Sequence, residues 1–349
     1  MTLHVIYENP AWLPPLEAAL RRQAVPYTLH FTDGGVFDLS TPPPQGVFLN
    51  RMSPSSHTRG NQGGVRFLGE YLGYLETHGR RVLNGSRAFA LEISKIRQDQ
   101  ALRAFGIRTP RTVAVIGPAR LQAAAREMEL PFITKHNQGG KGLGVRLFRD
   151  LATFDSYVDG PDFVPGPDDV TLLQQYIEPA EPFITRVEIV GGVFQYAIRS
   201  STEDGFELCP AIECGSEDAL CPADGDAKFS LREDVTADDP LIRRYVDLLG
   251  ALKIDIAGIE FVEDRDGVRY TYDINGTTNY NQEVEDRHGL DGMDAIARLA
   301  ARSLTGLAAI AALPSSQVGF PEASSLAYSF RGSIATRDPG RVSSTARRS

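Results

Sequence analysis

The chain has 349 residues, with 36 Lys+Arg against 45 Asp+Glu and a formal net charge of −9. Its 42% hydrophobic content is ordinary soluble composition, and the length gives room for two or three modest domains. The acidic balance argues against general nucleic-acid binding, which rewards clustered positive charge, but leaves room for one basic pocket around a small polyanion. Cys209, Cys214 and Cys221 are too few and too local for a disulfide scaffold; with no histidine nearby, their spacing is also unlike a compact zinc knuckle. The longest clean apolar stretch, 306–313, is far below the ~20 residues of a membrane span, and residues 1–22 show no basic leader. The expectation is a cytoplasmic protein without a membrane partner.

In chain order, LHVIY at 3–7 predicts a buried strand, 13–23 a helix, 26–31 a second strand and GVFLNR at 46–51 a third. A Ser/Gly-rich loop and a helix over 65–77 follow. Strands alternating with helices predict a small open α/β layer over 1–90. Ser94 reads as the cap of a helix carrying Ile96, Ala101, Leu102 and Phe105 at helical spacing. TPRTVAV, GPARLQAAAREM, ELPFITKH and GVRLF then read as strand, helix, strand and strand, a second unit over 91–165. From 166 to 313 strands dominate: VTLLQQYI, ITRVEIVGG, VFQYAIRS, IDIAGIEFVED and VRYTYDING. Hairpin turns are expected at 190–192 and 263–267, with helices over 240–252 and about 291–303. Beyond Phe330 five Arg and one Asp come with little apolar material, so 314–349 reads as a partly disordered tail.

Two segments carry chemistry. Gln138, Gly139, Gly140, Lys141, Gly142, Leu143 and Gly144 join two expected strands, with Lys135 at the end of the first. Glycines there let backbone N–H groups approach a phosphate closely, although the spacing fits neither the Walker A nor the dinucleotide pattern. A plain glycine-rich hairpin is the alternative. In the second segment Glu260 lies on one strand of a hairpin and Asp273 on the other, with Asn275 two residues on and facing the same side. Two carboxylates and a carboxamide oxygen are hard ligands suited to Mg2+; solvated polar residues on an edge hairpin are the competing reading. Arg51, at a strand end, is a candidate for a substrate carboxylate, and His57 for a substrate loop. His136 reads more simply as a solvated strand-end residue.

Together these motifs resemble the ATP-grasp superfamily, and within it the alpha-L-glutamate ligase group of carboxylate–amine ligases, over roughly 85–300. The resemblance implies an α/β and α+β chain in three parts: an N-terminal open α/β domain, a small central lid and a C-terminal antiparallel-sheet domain. ATP then sits between the last two, with one or two Mg2+, or Mn2+ in their place. Residue by residue, it implicates Lys95 and Lys135 near the phosphates and Gln138, Gly139, Gly140, Lys141, Gly142 and Gly144 in the flexible loop. Gln175, Tyr176 and Ile177 correspond to the adenine hinge, with Glu178 or Glu181 as the ribose acid. Arg186 and Arg199 would meet phosphates, with Arg199 also reaching substrate; Lys135, Arg186 and Arg199 form the catalytic set, and Glu260, Asp273 and Asn275 hold the metal. Asp273 stands where glutamate is commoner, and the acidic segment 206–221 replaces a basic substrate loop.

The implied reaction joins a carboxylate, from an amino acid, peptide or other small molecule, to an amine through an acyl phosphate, releasing ADP and phosphate. A catalytically silent ATP-binding regulator or scaffold, or a phosphotransferase without ligation, are the alternatives. A homo-oligomer suits the family.

Overall fold

The computed structural model describes residues 1–32, 34–139, 144–202 and 228–311. Met1–Ala309 form one unit, built on three sheets. The first contains β1 (Thr2–Tyr7), β2 (Tyr27–Phe31), β3 (Gly46–Arg51) and β4 (Arg81–Leu83), with helices α1 (Pro14–Arg22) and α2 (Gln62–Thr77) in the connections. Its order is β2-β1-β3-β4, all parallel. A parallel sheet has to be covered on both faces, and the alternation of side chains does this. Leu3, Val5, Val47 and Leu49 pack with α1, while Ile6 and Phe48 meet Leu68, Leu72 and Leu75 of α2.

Two short helices follow, α3 (Ser86–Glu92) and α4 (Lys95–Ala104), the second capped by Ser94, whose hydroxyl accepts from the Arg97 N–H. The second sheet comprises β5 (Thr112–Ile116), β6 (Phe132–His136), β7 (Arg146–Phe148) and β8 (Val170–Gln175) in the order β5-β8-β6-β7. α5 (Leu121–Ala125) and α6 (Leu151–Asp159) cover it around Phe132, Phe148 and Phe154.

The third sheet is antiparallel and ordered β11-β10-β9-β12-β13. Its strands are β9 (Phe183–Val190), β10 (Val193–Ser201), β11 (Phe229–Leu231), β12 (Ile256–Glu263) and β13 (Arg269–Asn275). Helix α7 (Pro240–Leu252) lies before β12, and α8 (Gln282–His288) and α9 (Gly292–Ala311) follow β13. The expected turns are present, with Gly191, Gly192 and Gly267 at positive φ. One face of this sheet is apolar: Val187, Ile189, Ala257, Ile259, Phe261 and Ile274 pack against Tyr245, Leu248 and Leu249 of α7. The other face carries the charged residues.

Two boundaries differ from the sequence expectation. Strand β8 pairs with β5 and β6, so the expected border at 165/166 divides the second sheet. Helix α4 packs on β13 instead of the second sheet, with Leu102 and Ile107 in the third sheet's core. The reason is a polar one: the Gln98 amide accepts from Ile274 N at 3.0 Å and donates to Ile274 O at 2.9 Å, standing in for a neighbouring strand. Sequence patterning did not anticipate α3, α6, α8, β4 or β11, whose short lengths carry little periodicity. The cysteines, the tail and most of the glycine loop lie outside the described residues.

The first and third sheets are joined by Asn84, buried at the end of β4 with φ of 53°. Its amide nitrogen donates to Ile256 O at 2.8 Å and Gly276 O at 2.9 Å, and its oxygen accepts from Asp255 N and Ile256 N at 2.9 and 3.0 Å. Every hydrogen-bonding position of the side chain is thus used. Asn84→Ala strands these backbone groups in the interior and should cost about 3 kcal/mol in urea unfolding. Asn84→Gly should recover only the conformational part, about 1 kcal/mol.

Candidate active site

Antiparallel register places residues directly opposite one another on the same face. Glu260 of β12 lies opposite Arg186 of β9 on one side and Asp273 of β13 on the other. The three side chains thus form a row across the polar face. The Arg186 guanidinium donates from Nε to Glu188 at 2.6 Å, from Nη1 to Glu260 at 2.9 Å and from Nη2 to Thr278 Oγ1 at 2.8 Å; Thr278 in turn donates to Glu188 at 2.9 Å. Gly258, one pleat from Glu260, makes this possible. A Cβ there would lie 2.3 Å from Arg186 Nη2, so the missing side chain is the space that the guanidinium fills.

Lys95, from the first turn of α4, donates to Asp273 at 2.6 Å. Lys135, from β6, is buried, with its ammonium 3.5 Å from Tyr272 O and 5.6 Å from the Tyr272 ring centre. Tyr272 is the extra residue of a bulge: Glu260 pairs with Asp273, but Phe261 pairs with Thr271. Asn275 donates to Glu260 at 3.4 Å, which turns its carboxamide oxygen away from that contact. A small cleft lined by Lys95, Asp99, Lys135, Leu172, Gln174 and Tyr272 runs between the second sheet and β13.

Burial and charge act against each other here. Burial, with Lys95 nearby, lowers the Lys135 pKa to about 7, against the pull of Asp273 and Glu260. Burial raises the Glu260 carboxyl in spite of Arg186. For Asp273 burial acts in the same sense, but Lys95 and Lys135 outweigh it and hold the carboxyl below its ordinary value. Next to the row, Glu92 is buried and pushed up to about 7, although it accepts from Thr277 N at 2.7 Å and Arg51 is near.

The structure therefore gathers Lys95, Lys135, Arg186, Glu260, Asp273 and Asn275. It does not add Arg199. A regular hairpin through Gly191 and Gly192 would bring Arg199 onto the face of Arg186, but a register shift between Phe194 and Tyr196 moves it by one position. Arg199 then lies opposite Thr185, on the other face, above the Phe183 ring and beside Glu181 and Asp234. Arg51 is buried and engaged, donating to Thr278 O and Asn279 Oδ1 at 2.8 Å each, so it braces the segment after β13. His57 sits in a 3-10 turn with Nδ1 2.9 Å from Pro54 O. At the expected hinge, Gln175 accepts from Arg111 N at 3.2 Å, Tyr176 N donates to Pro131 O and Ile177 is half-buried. Glu178 is exposed and paired with Arg265, and Glu181 is exposed. Gln138, Gly139 and Gly144 flank the loop, with Gly144 at φ of 75°, whereas Gly140, Lys141 and Gly142 lie outside the described residues. Sequence reasoning missed Glu188, Thr278, Glu92 and Gly258; sheet register would have exposed Glu188 and Gly258, while Glu92, on α3, and Thr278, beyond β13, are placed only by tertiary packing.

Among the described residues, no three His, Cys, Asp or Glu side chains gather into a metal cluster. Two carboxylates with one carboxamide nevertheless fit Mg2+, which takes few protein ligands and completes its octahedron with phosphate and water oxygens.

Two variants test this description. Gly258→Ala should drive Arg186 off Glu260 and Glu188, lowering stability in urea by about 3 kcal/mol, the range for breaking a buried pair. For Glu92 the folded pKa, about 7, lies above the ordinary 4.5. Its stabilising contribution is therefore full below about 4.5 and lost as pH rises through about 7. Wild type should lose stability relative to Glu92→Gln across that window; parallel pH profiles of thermal unfolding would remove the assignment.

No family model matches the chain. D-alanine–D-alanine ligase of Chromohalobacter salexigens is 28% identical over 199 residues, covering 54% of this chain and 58% of that protein. D-alanine–D-alanine ligase B of Xanthomonas campestris pv. campestris is 30% identical over 171 residues, covering 45% and 51%. The chain thus spans little more than half the length of these curated relatives. Among solved structures, the ATP-grasp ligase PsnB complexed with minimal precursor superposes with a TM-score of 0.60 at 16% identity, covering 86% of this chain and 99% of that one. The RimK domain ATP-grasp protein of Sphaerobacter thermophilus gives 0.61 at 16% identity, covering 85% and 98%. The chain has the ATP-grasp fold and is related at low identity to D-alanine–D-alanine ligases.

Proposed function

We propose that the chain is an ATP-dependent carboxylate–amine ligase that activates a carboxylate as its acyl phosphate and passes it to an amine. The observation that carries this reading is the row Arg186–Glu260–Asp273, with Lys95 and Lys135 brought to it from two other elements. Acids able to hold a cation and cations able to hold a polyphosphate meet on one face. No nucleophilic side chain is required.

Glu260, Asp273 and Asn275 are the residues that would hold Mg2+, whose bound charge would neutralise phosphate oxygens. Arg186 keeps Glu260 paired and oriented for that task. Lys95 and Lys135 offset the charge that collects on the leaving ADP. Because burial keeps the Lys135 pKa near 7 when no anion is present, phosphate binding should recharge it. The substrate pair is an amino acid, a peptide or another small carboxylate together with an amine.

Three measurements test the reading. ADP release from Mg-ATP, screened over pools of amino acids and short peptides, should require both a carboxylate and an amine; nucleotide binding without turnover on any pool would favour a silent ATP-binding protein. Asp273→Asn should lower release by about a hundredfold, the scale for losing one charge-stabilising group, while circular dichroism stays that of the wild type. Calorimetry of ADP binding at pH 8 in buffers of different ionisation enthalpy should show proton uptake by Lys135, absent in Lys135→Met. Equal uptake in both proteins would exclude Lys135 as the group that recharges.

A further inference from the structure

The two lysines come from separate elements, Lys95 from a helix packed on the third sheet and Lys135 from a strand of the second. Two like charges do not set their own spacing, since each drives the other away. A joint elsewhere has to set it.

Asn137, the residue just beyond β6, makes that joint. Its carbonyl oxygen accepts from Lys95 N at 3.2 Å, and its side-chain oxygen accepts from Ile96 N at 2.9 Å and Ser94 Oγ at 3.3 Å. The first N–H groups of a helix have no partner within it. The Ser94 hydroxyl takes the Arg97 N–H and its carbonyl that of Gln98, and the N–H groups of Lys95 and Ile96 are satisfied by a residue of the second sheet. On its other side the Asn137 amide nitrogen donates to Asp168 Oδ2 at 2.6 Å. Asp168 Oδ1 accepts from Val170 N at 3.3 Å, fixing the carboxylate at the start of β8. An acceptor on one side and donors on the other leave the Asn137 amide a single orientation, and the side chain is buried.

We propose that Asn137, oriented by Asp168, is a positioning residue that holds the helix of Lys95 against the strand of Lys135 at the spacing a bound polyphosphate requires. The proposal rests on the nucleotide-binding reading and extends it to residues with no role in that reading. It touches only phosphate recognition, so adenosine and ADP should respond differently.

Exchanging the partners gives the test. In Asn137→Asp the helix keeps its acceptors, but two carboxylates face each other. In Asp168→Asn one of the bonds to Asn137 or Val170 meets a second donor. In the double variant Asn137→Asp with Asp168→Asn, every donor again faces an acceptor and the net charge is that of the wild type. With full-length protein, calorimetric Kd values for ADP with Mg2+ should rise about tenfold in each single variant, the scale of one lost buried hydrogen bond. The double variant should return to within about threefold of wild type. Adenosine affinity should stay constant throughout.

Asp168→Asn separates positioning from simple electrostatics, because removing a negative charge near bound phosphate would by itself tighten ADP binding. Tighter binding in that variant, an equal loss for adenosine and ADP, or no recovery in the double variant would each overturn the proposal. Should Asn137→Asp fail to fold, Asp168→Asn and the double variant still decide. A wild type that does not bind ADP removes the nucleotide reading and this role with it; a wild type that binds, with unaffected variants, removes this role alone.

Discussion

A charge stays inside a protein only if an opposite charge or enough hydrogen bonds sit beside it, and on the polar face of the third sheet that condition falls on Arg186. Its guanidinium holds two glutamates from adjacent strands and one threonine hydroxyl, and it fits only because Gly258 has no side chain. Lys95 then serves Asp273, and Lys135 lies within reach of the same acids. Three carboxylates, Glu188, Glu260 and Asp273, thereby face Arg186 and Lys95, with Lys135 beside them, its pKa lowered to about 7 by burial. Under the proposed function, a polyphosphate entering with its cation would bring its own neutralising charge to a row whose acids are already paired.

The sheets and helices around this row are joined by side-chain amides. Asn84 links the first sheet to β12 and to the turn after β13, Gln98 ties α4 to β13, and Asn137 ties the second sheet to α4. An amide offers both donor and acceptor without charge, so it can replace a strand neighbour or a helix cap at little desolvation cost once both ends are used. Asn84 and Asn137 lie where strands end, and Gln98 faces the outer edge of a sheet from within α4; both are places where backbone groups are left without partners.

Much of this was legible in the sequence because it depends on local rules. Short apolar and β-branched runs marked β1, β3, β9 and β12, glycines marked the hairpins, and Ser94 marked the start of α4. Glu260, Asp273, Asn275 and the two lysines followed from spacing and resemblance, and the fold places them together. What was not legible depends on register. Whether Val170–Gln175 pairs with the second or third sheet cannot be read from its own residues, since a buried strand looks alike in either. Arg199 shows the same limit: a single shifted position in β10, invisible in composition, carries it to the opposite face. Gly258 and Asn84 read as filler in a sequence, and acquire meaning only when one sees what presses on them.

The contact between Gln98 and Ile274 also governs how molecules can approach. β13 is the last strand of its sheet, and such a strand ordinarily offers a free backbone to any extended chain that lies alongside it. Here Gln98 occupies both backbone groups of Ile274, and Arg108 O accepts from Thr271 N at 2.9 Å. The strand that carries Asp273 is therefore closed to augmentation along this stretch. An extended chain laid along β13 would meet the Gln98 amide and the Arg108 carbonyl where it needs free backbone, so the edge that flanks the charged row gives it no seat at Thr271 or Ile274.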